Sequence, residues 1–211
     1  MVNRPEFHEA TPDFPTRFPK WVGPFGRQQY LFLINDADAV VGTNTSWRNI
    51  RIYEQAPVAV NALDLEALVG GALSVPVQDI VPGDFTFLET GYAISLFGNT
   101  WKGFEVNKPI NASTVLHFEF ESDGAQPEIS AITLNRSTLN ANPATSVQFL
   151  GTQAWASFTA PTYTGNGAPQ SYSIPVGTMV APGTYKYLSF VNDADVTANT
   201  NVKFRNIRWT N

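Results

Sequence analysis

Cysteine is absent from the 211 residues, so no disulfide framework, thiolate zinc site or cysteine nucleophile is available. Histidine is nearly absent too: besides His117 there is only His8, in a proline-rich N-terminal stretch, so no histidine metal cluster or Ser-His-Asp set is supported. Basic residues are few: 13 Lys and Arg against 18 Asp and Glu leave a net charge of −5, and no concentrated cationic face is visible for nucleic acid. No apolar run approaches the ~18 residues of a membrane span, and Met1-Val2-Asn3-Arg4-Pro5 opens no apolar signal region. Glycine-rich phosphate loops and nucleophile elbows are missing as well. What the chain does have is aromatic residues at 13% against 15% charged, a balance that reads as a β-rich protein.

An internal repeat organises the chain. Tyr30–Asp38 matches Tyr187–Asp195, and Trp47-Arg48-Asn49-Ile50-Arg51 matches Phe204-Arg205-Asn206-Ile207-Arg208, all at the offset 187 − 30 = 157. Agreement of strand pattern, turn chemistry and loop length over this span indicates duplicated structure. Two whole copies exceed the chain, so the first is partial: residues 1–54 carry a copy of the module's C-terminal hairpin, 55–72 form a linker or a short helix over Asn61–Val69, and 73–211 form the complete module. A lone hairpin is marginal in water, so the partial copy needs a host surface, either the complete module or a strand from another chain. Trp21 and Trp47 are candidates for the glue of that docking.

From residue 73 onward, short β-branched and aromatic runs alternate with Gly, Pro, Asn and Asp clusters. In Ser113–Glu121 the period of two sends Leu116, Phe118 and Phe120 to one face and His117, Glu119 and Glu121 to the other. Eight further runs fit strands: Phe85–Leu88, Tyr92–Phe97, Lys102–Val106, Ile129–Leu134, Val147–Leu150, Ser171–Val176, Tyr185–Val191 and Val202–Trp209. Together they predict an all-β fold, an antiparallel two-sheet, jellyroll-like β-sandwich with the N-terminal partial repeat hairpin beside it. Arg208, repeated as Arg51, is expected to serve the fold, for instance by pairing with a loop carboxylate.

Five segments occur in one order: Gly98–Lys102, Ser113–Phe120, Phe149–Trp155, Tyr172–Gly177, and Phe190–Asp195 with Phe204–Arg208. Their order and spacing resemble the accessory, carbohydrate-binding-type β-sandwich modules of secreted, multi-modular bacterial polysaccharide-degrading proteins, over about residues 73–211. The resemblance implies an extracellular, non-catalytic binding module with polysaccharide as partner. Where such modules often carry a Gly- and Asp-rich segment, this chain has Glu128–Asn135, so no binding site is carried over onto that stretch.

Sugar rings stack on exposed aromatic faces while amides and carboxylates bind their hydroxyls, which makes Trp101, Trp155 and Tyr163 the candidate ligand residues. The loop with Asn192, Asp193 and Asp195 offers oxygen donors of the kind calcium prefers, and Asn35, Asp36 and Asp38 repeat it, with Asp79 able to approach from the other end. The same residues also serve as backbone caps of a turn, and the loop is not an EF-hand. His117, Glu119 and Glu121 share one strand face, with neighbours ~7 Å apart from a rise of ~3.4 Å per residue, which leaves a glycosidase pair open on spacing. Such an outward acidic face is more often solvated, and no catalytic residue is assigned. A second reading of the partial copy is a self-assembling filament subunit completed by copies of itself.

Overall fold

The computed structural model describes residues 58–79 and 84–211. Eleven strands are present there: β1 (Leu73–Ser74), β2 (Phe85–Leu88), β3 (Ala93–Phe97), β4 (Thr100–Ile110), β5 (Val115–Gly124), β6 (Ile129–Asn135), β7 (Ser146–Leu150), β8 (Phe158–Thr159), β9 (Gln170–Ile174), β10 (Gly183–Asp193) and β11 (Thr200–Thr210). A single helical turn, α1, spans Val176–Met179. One sheet runs β1-β4-β10-β6-β7-β8 and the other β2-β3-β11-β5-β9. The inner sets β4-β10-β6-β7 and β3-β11-β5-β9 follow jelly-roll order. All pairings are antiparallel except β7 with β8. All nine expected strands are found; the two-residue β1 and β8 were too short to leave a periodic signal. No described helix is long and apolar enough to cross a membrane.

Alternation places the core where the sequence puts it. Leu116, Phe118 and Phe120 of β5, with Phe204 of β11 beside them, face Phe149 and Phe190 of the other sheet, and all six are buried. The rings meet at an angle, as aromatic quadrupoles favour, with Phe120 and Phe149 4.6 Å apart at 63°. Phe118 and Tyr172 form the stacked exception at 5.1 Å and 8°. Burial pushes the Tyr172 phenol up to about 12, with Tyr163 adding to the shift, so it stays protonated.

Two expectations are corrected. The complete copy of the repeat is not a hairpin: β10 is central in one sheet and β11 central in the other, joined by a loop that arches across the sandwich. Each strand has two ladder partners, so neither needs the other. Asn192 ties the corner, its amide donating to Leu96 O at 3.3 Å, Gly98 O at 2.8 Å and Thr200 Oγ1 at 3.1 Å. Residues 58–72 form neither a helix nor a free linker but a chain of turns packed on the sandwich, with Leu65 in the core. Leu65 N donates to Gly91 O at 2.7 Å and Leu63 N to Ile207 O at 2.7 Å. The first copy, including Asn35, Asp36 and Asp38, Trp21 and Trp47, lies outside the described residues.

The Arg-Asn-Ile-Arg motif makes a β-bulge. Arg205 lies opposite Glu119 and Arg208 opposite His117, so Asn206 and Ile207 share one partner position. Asn206 takes φ 54, the left-handed region asparagine tolerates best among residues with a Cβ.

Candidate functional site

The outward face of the five-stranded sheet carries His117, Glu119 and Glu121, as the alternation predicts. Its side chains pair with one another, with Glu89 Oε2 and Arg205 Nε left buried without a partner among the described residues. Glu121 accepts from Lys203 Nζ at 2.5 Å and Arg205 Nη2 at 2.9 Å, and Arg205 also reaches Glu89 in the β2–β3 turn at 3.4 Å. Arg208, the duplicated arginine expected to pair with a loop carboxylate, has no carboxylate partner among the described residues; its Nη1 donates to Asn206 O at 3.3 Å. Asn206 Nδ2 donates to Glu119 Oε1 at 3.1 Å, and the His117 ring nitrogens lie 2.9 Å from Ser173 Oγ and 2.9 Å from Thr210 Oγ1. Burial, with Arg208 adding to it, pushes the His117 imidazole below its ordinary value, so it is neutral at pH 7. Burial raises the Glu89 carboxyl, against the pull of Arg205 and with help from Glu119 and Glu121. Glu121 is 8% exposed and doubly paired, which suits a structural clamp better than a nucleophile.

The aromatic candidates fall elsewhere. Trp101 is 2% exposed: it packs with Val75, Ile129, Ala131 and Val191 in a second, smaller core outside the six-stranded sheet. Trp155 is half-buried and caps it, its ring 5.3 Å from Trp101 at 86°. Trp101 therefore offers no face for a sugar, because the loops that flank β7 fold over its strand. Tyr163, the third candidate ligand residue, is 8% exposed. Its ring edge meets Phe120 at 5.1 Å, and its hydroxyl donates to Ala168 O at 2.9 Å while accepting from Gly167 N at 3.0 Å. The phenol staples its own loop rather than standing out as a platform.

That staple shapes a depression of about 390 Å³ at the end of the five-stranded sheet, between the β5–β6 turn and the loop Tyr163–Gly167. Ser122, Asp123 and Gln126 line one side, Thr164 and Asn166 the other, with Leu150 and the Tyr163 edge as the apolar part. The Asp123 carboxylate and the Gln126 and Asn166 amides belong to exposed residues. Thr164 N donates to Gln170 Oε1 at 3.0 Å, which fixes the loop on β9. Asp123, Gln126 and Asn166 escaped the sequence reading because scattered polar turn residues carry no periodic signal; the Thr-Gly-Asn-Gly loop was the one legible hint.

The cation candidates are engaged separately. Asp79 pairs with Lys102 Nζ, so a lysine neutralises the carboxylate expected to approach a metal. Asp193 Oδ1 accepts from Trp101 Nε1 at 3.3 Å, Asp195 accepts from Asn99, and Asn192 spends its amide on the sheet corner. Burial raises the Asp193 carboxyl, with Asp195 and Glu128 adding to the shift against the Trp101 hydrogen bond. Among the described residues no group of three or more Asp, Glu or His side chains is placed to hold a metal ion. The donors fit turn and strap chemistry better than a calcium cage.

No family model and no curated protein matches the chain. Thirteen chains of solved structures are similar to it, among them these two. One is a mutant family 29 carbohydrate-binding module complexed with cellulohexaose, 12% identical, covering 59% of this chain and 72% of that one at a TM-score of 0.37. The other is the xyloglucanase domain of NopAA, a type three effector from Sinorhizobium fredii, in complex with cellobiose, 11% identical, covering 61% and 87% at a TM-score of 0.35. At these scores the likeness carries no functional weight, and the site's own geometry must supply the reading.

Proposed function

We propose that this domain binds polysaccharide without cleaving it, and that the Tyr163-stapled depression is where a sugar unit sits. The observation that carries the reading is the lining: one carboxylate, two amides and two hydroxyls around a small apolar patch, in a volume within the ~300–1,000 Å³ typical of small-molecule sites. Such a lining matches a pyranose, whose hydroxyls need donors and acceptors and whose C–H face needs an apolar contact. The rigid loop limits the ordering cost of binding. On the neighbouring sheet face Glu121 is held by Lys203 and Arg205, and Glu119 by Asn206, which supports a structural role for these carboxylates.

Affinity electrophoresis against neutral polysaccharides, followed by calorimetry with oligosaccharides, tests this. Asp123→Ala and Asn166→Ala should each weaken binding about fivefold to a hundredfold, the range for losing one neutral or charge-assisted hydrogen bond of ~1 to 3 kcal/mol. Uniform lack of retardation, or variants that bind like the parent chain, would refute the proposal.

A further inference from the structure

A second polar pocket lies at the opposite end of the sandwich, where β6 ends and the loop to β7 begins. It holds about 300 Å³ and is lined by Arg136, Ser137, Thr138, Asn140, Asn142 and Tyr185, among others, with no carboxylate in the lining. Arg136 is exposed and forms no ion pair among the described residues. The segments that meet here, residues 104–112, 134–146 and 175–188, hold three bases, Lys108, Arg136 and Lys186, against one acid, Glu105. The difference, 3 − 1, is a local charge of +2 on a chain whose net charge is −5. Glu105 is itself held by Lys186 at 3.5 Å and by Asn107 Nδ2 at 2.9 Å. This end of the molecule therefore attracts an anion that the rest of the chain repels.

The guanidinium is seated in advance. Its Nη2 donates to Ala181 O at 2.8 Å and Pro182 O at 2.9 Å, and its carbon lies 4.9 Å from the Tyr185 ring centre. Gly183 makes the room, since a Cβ there would stand 2.7 Å from Nη1. Those two bonds occupy Nη2 and leave the Nη1 and Nε protons without a partner among the described residues. An arginine held this way takes an oxyanion without first losing side-chain freedom, and its charge strengthens each hydrogen bond it gives. Beside it, Ser137, Thr138 and Asn140 are exposed and bring two hydroxyls and an amide. A fixed cation among hydroxyls and amides, with no acid in the lining, is the complement of a sugar that carries a carboxylate.

We infer that this pocket binds a uronate unit, with the Arg136 guanidinium donating to its carboxylate and Ser137, Thr138 and Asn140 meeting its ring hydroxyls. Naming the anion a sugar acid rests on the polysaccharide reading above; the preference for an anion stands on this lining alone and uses no residue of the Tyr163 depression. That depression presents Asp123 and suits a neutral unit. Together the two sites select a polymer that carries both neutral and acidic units, with a gain in avidity when both are engaged.

The test is an amide-resolved NMR titration of the full chain at low salt with galacturonate and glucuronate, set against galacturonate methyl ester, galactose, acetate and sulfate. A saturable shift of the amides in 136–142 with a uronate is expected. It should be at least tenfold weaker with the uncharged ester, with galactose and with acetate, which lacks the ring, and should fall when salt is raised to about 0.5 M. Arg136→Gln removes the charge, and Thr138→Glu sets a competing carboxylate in the pocket from an exposed position. Each should weaken the response at least tenfold while the remaining amides keep their positions. No saturable shift at 136–142, an equal response to the ester or galactose, acetate or sulfate binding as tightly as the uronates, or persistence of the response in both variants overturns the inference. Shifts at 163–167 with galactose and none at 136–142 with uronates sink this site and leave the first reading standing; the opposite pattern removes the first site and keeps this one.

Discussion

Replacing Asn206 tests the physical meaning of the duplicated Arg-Asn-Ile-Arg motif. Asn206 does three things at once: it adopts φ 54, its Oδ1 accepts from Ala59 N at 2.9 Å, and its Nδ2 donates to Glu119 at 3.1 Å. Asn206→Gly keeps the backbone accessible but removes both hydrogen bonds and adds chain entropy, a loss of about 2–3 kcal/mol at ~1 kcal/mol each. Asn206→Ala loses the same bonds and must also hold a left-handed backbone, so it should be worse than glycine by about 1 kcal/mol. For a domain of this size each kcal/mol moves the midpoint by roughly 2–4 °C. Urea and thermal unfolding followed by tryptophan fluorescence measure both variants against the parent. Alanine equal to glycine would remove the backbone argument; either variant within ~0.5 kcal/mol of the parent would remove the claim that this bulge joins the 58–72 segment to the sheet.

Phe204→Ala should cost about 3–5 kcal/mol by unfolding, because the ring touches Phe118, Phe120, Phe149 and Phe190 between the sheets. Gly177→Ala should cost about 1–3 kcal/mol, since a Cβ there collides with the Asn111 carbonyl oxygen of the backbone, and an unchanged denaturation midpoint would contradict that packing. Asp193→Asn keeps an acceptor for Trp101 and removes a buried charge. The folded carboxyl lies above its ordinary value, so the cost of its charge accumulates as pH rises from the ordinary carboxylate range and is fully present above the raised folded pKa. The variant should therefore be more stable than the parent at pH 7, with the difference closing as pH falls toward the unfolded carboxylate range; a loss at pH 7 would show that the charge is needed, as a cation ligand would require.

The strands were legible because β5 alternates strictly and its apolar half met apolar halves of other strands. The site was less so. Trp101 and Tyr163 looked available because they stand near strand ends and in loops, and nothing local reports that the loops flanking β7 fold over Trp101, or that Tyr163 turns its hydroxyl back to Ala168. The six residues Ala194–Asn199 between β10 and β11 suit a tight reversal as well as an arch. Only the competition for ladder partners chose the arch.

Sequence alone determined the alternation, the aromatic core and the places where asparagine and glycine bend the backbone, because these follow from side-chain period and allowed dihedral angles. Tertiary structure decided which strands share a sheet, which aromatics vanish beneath loops, and which polar side chains find each other. Those outcomes depend on residues dozens of positions apart reaching the same few cubic ångströms, and no local pattern encodes that.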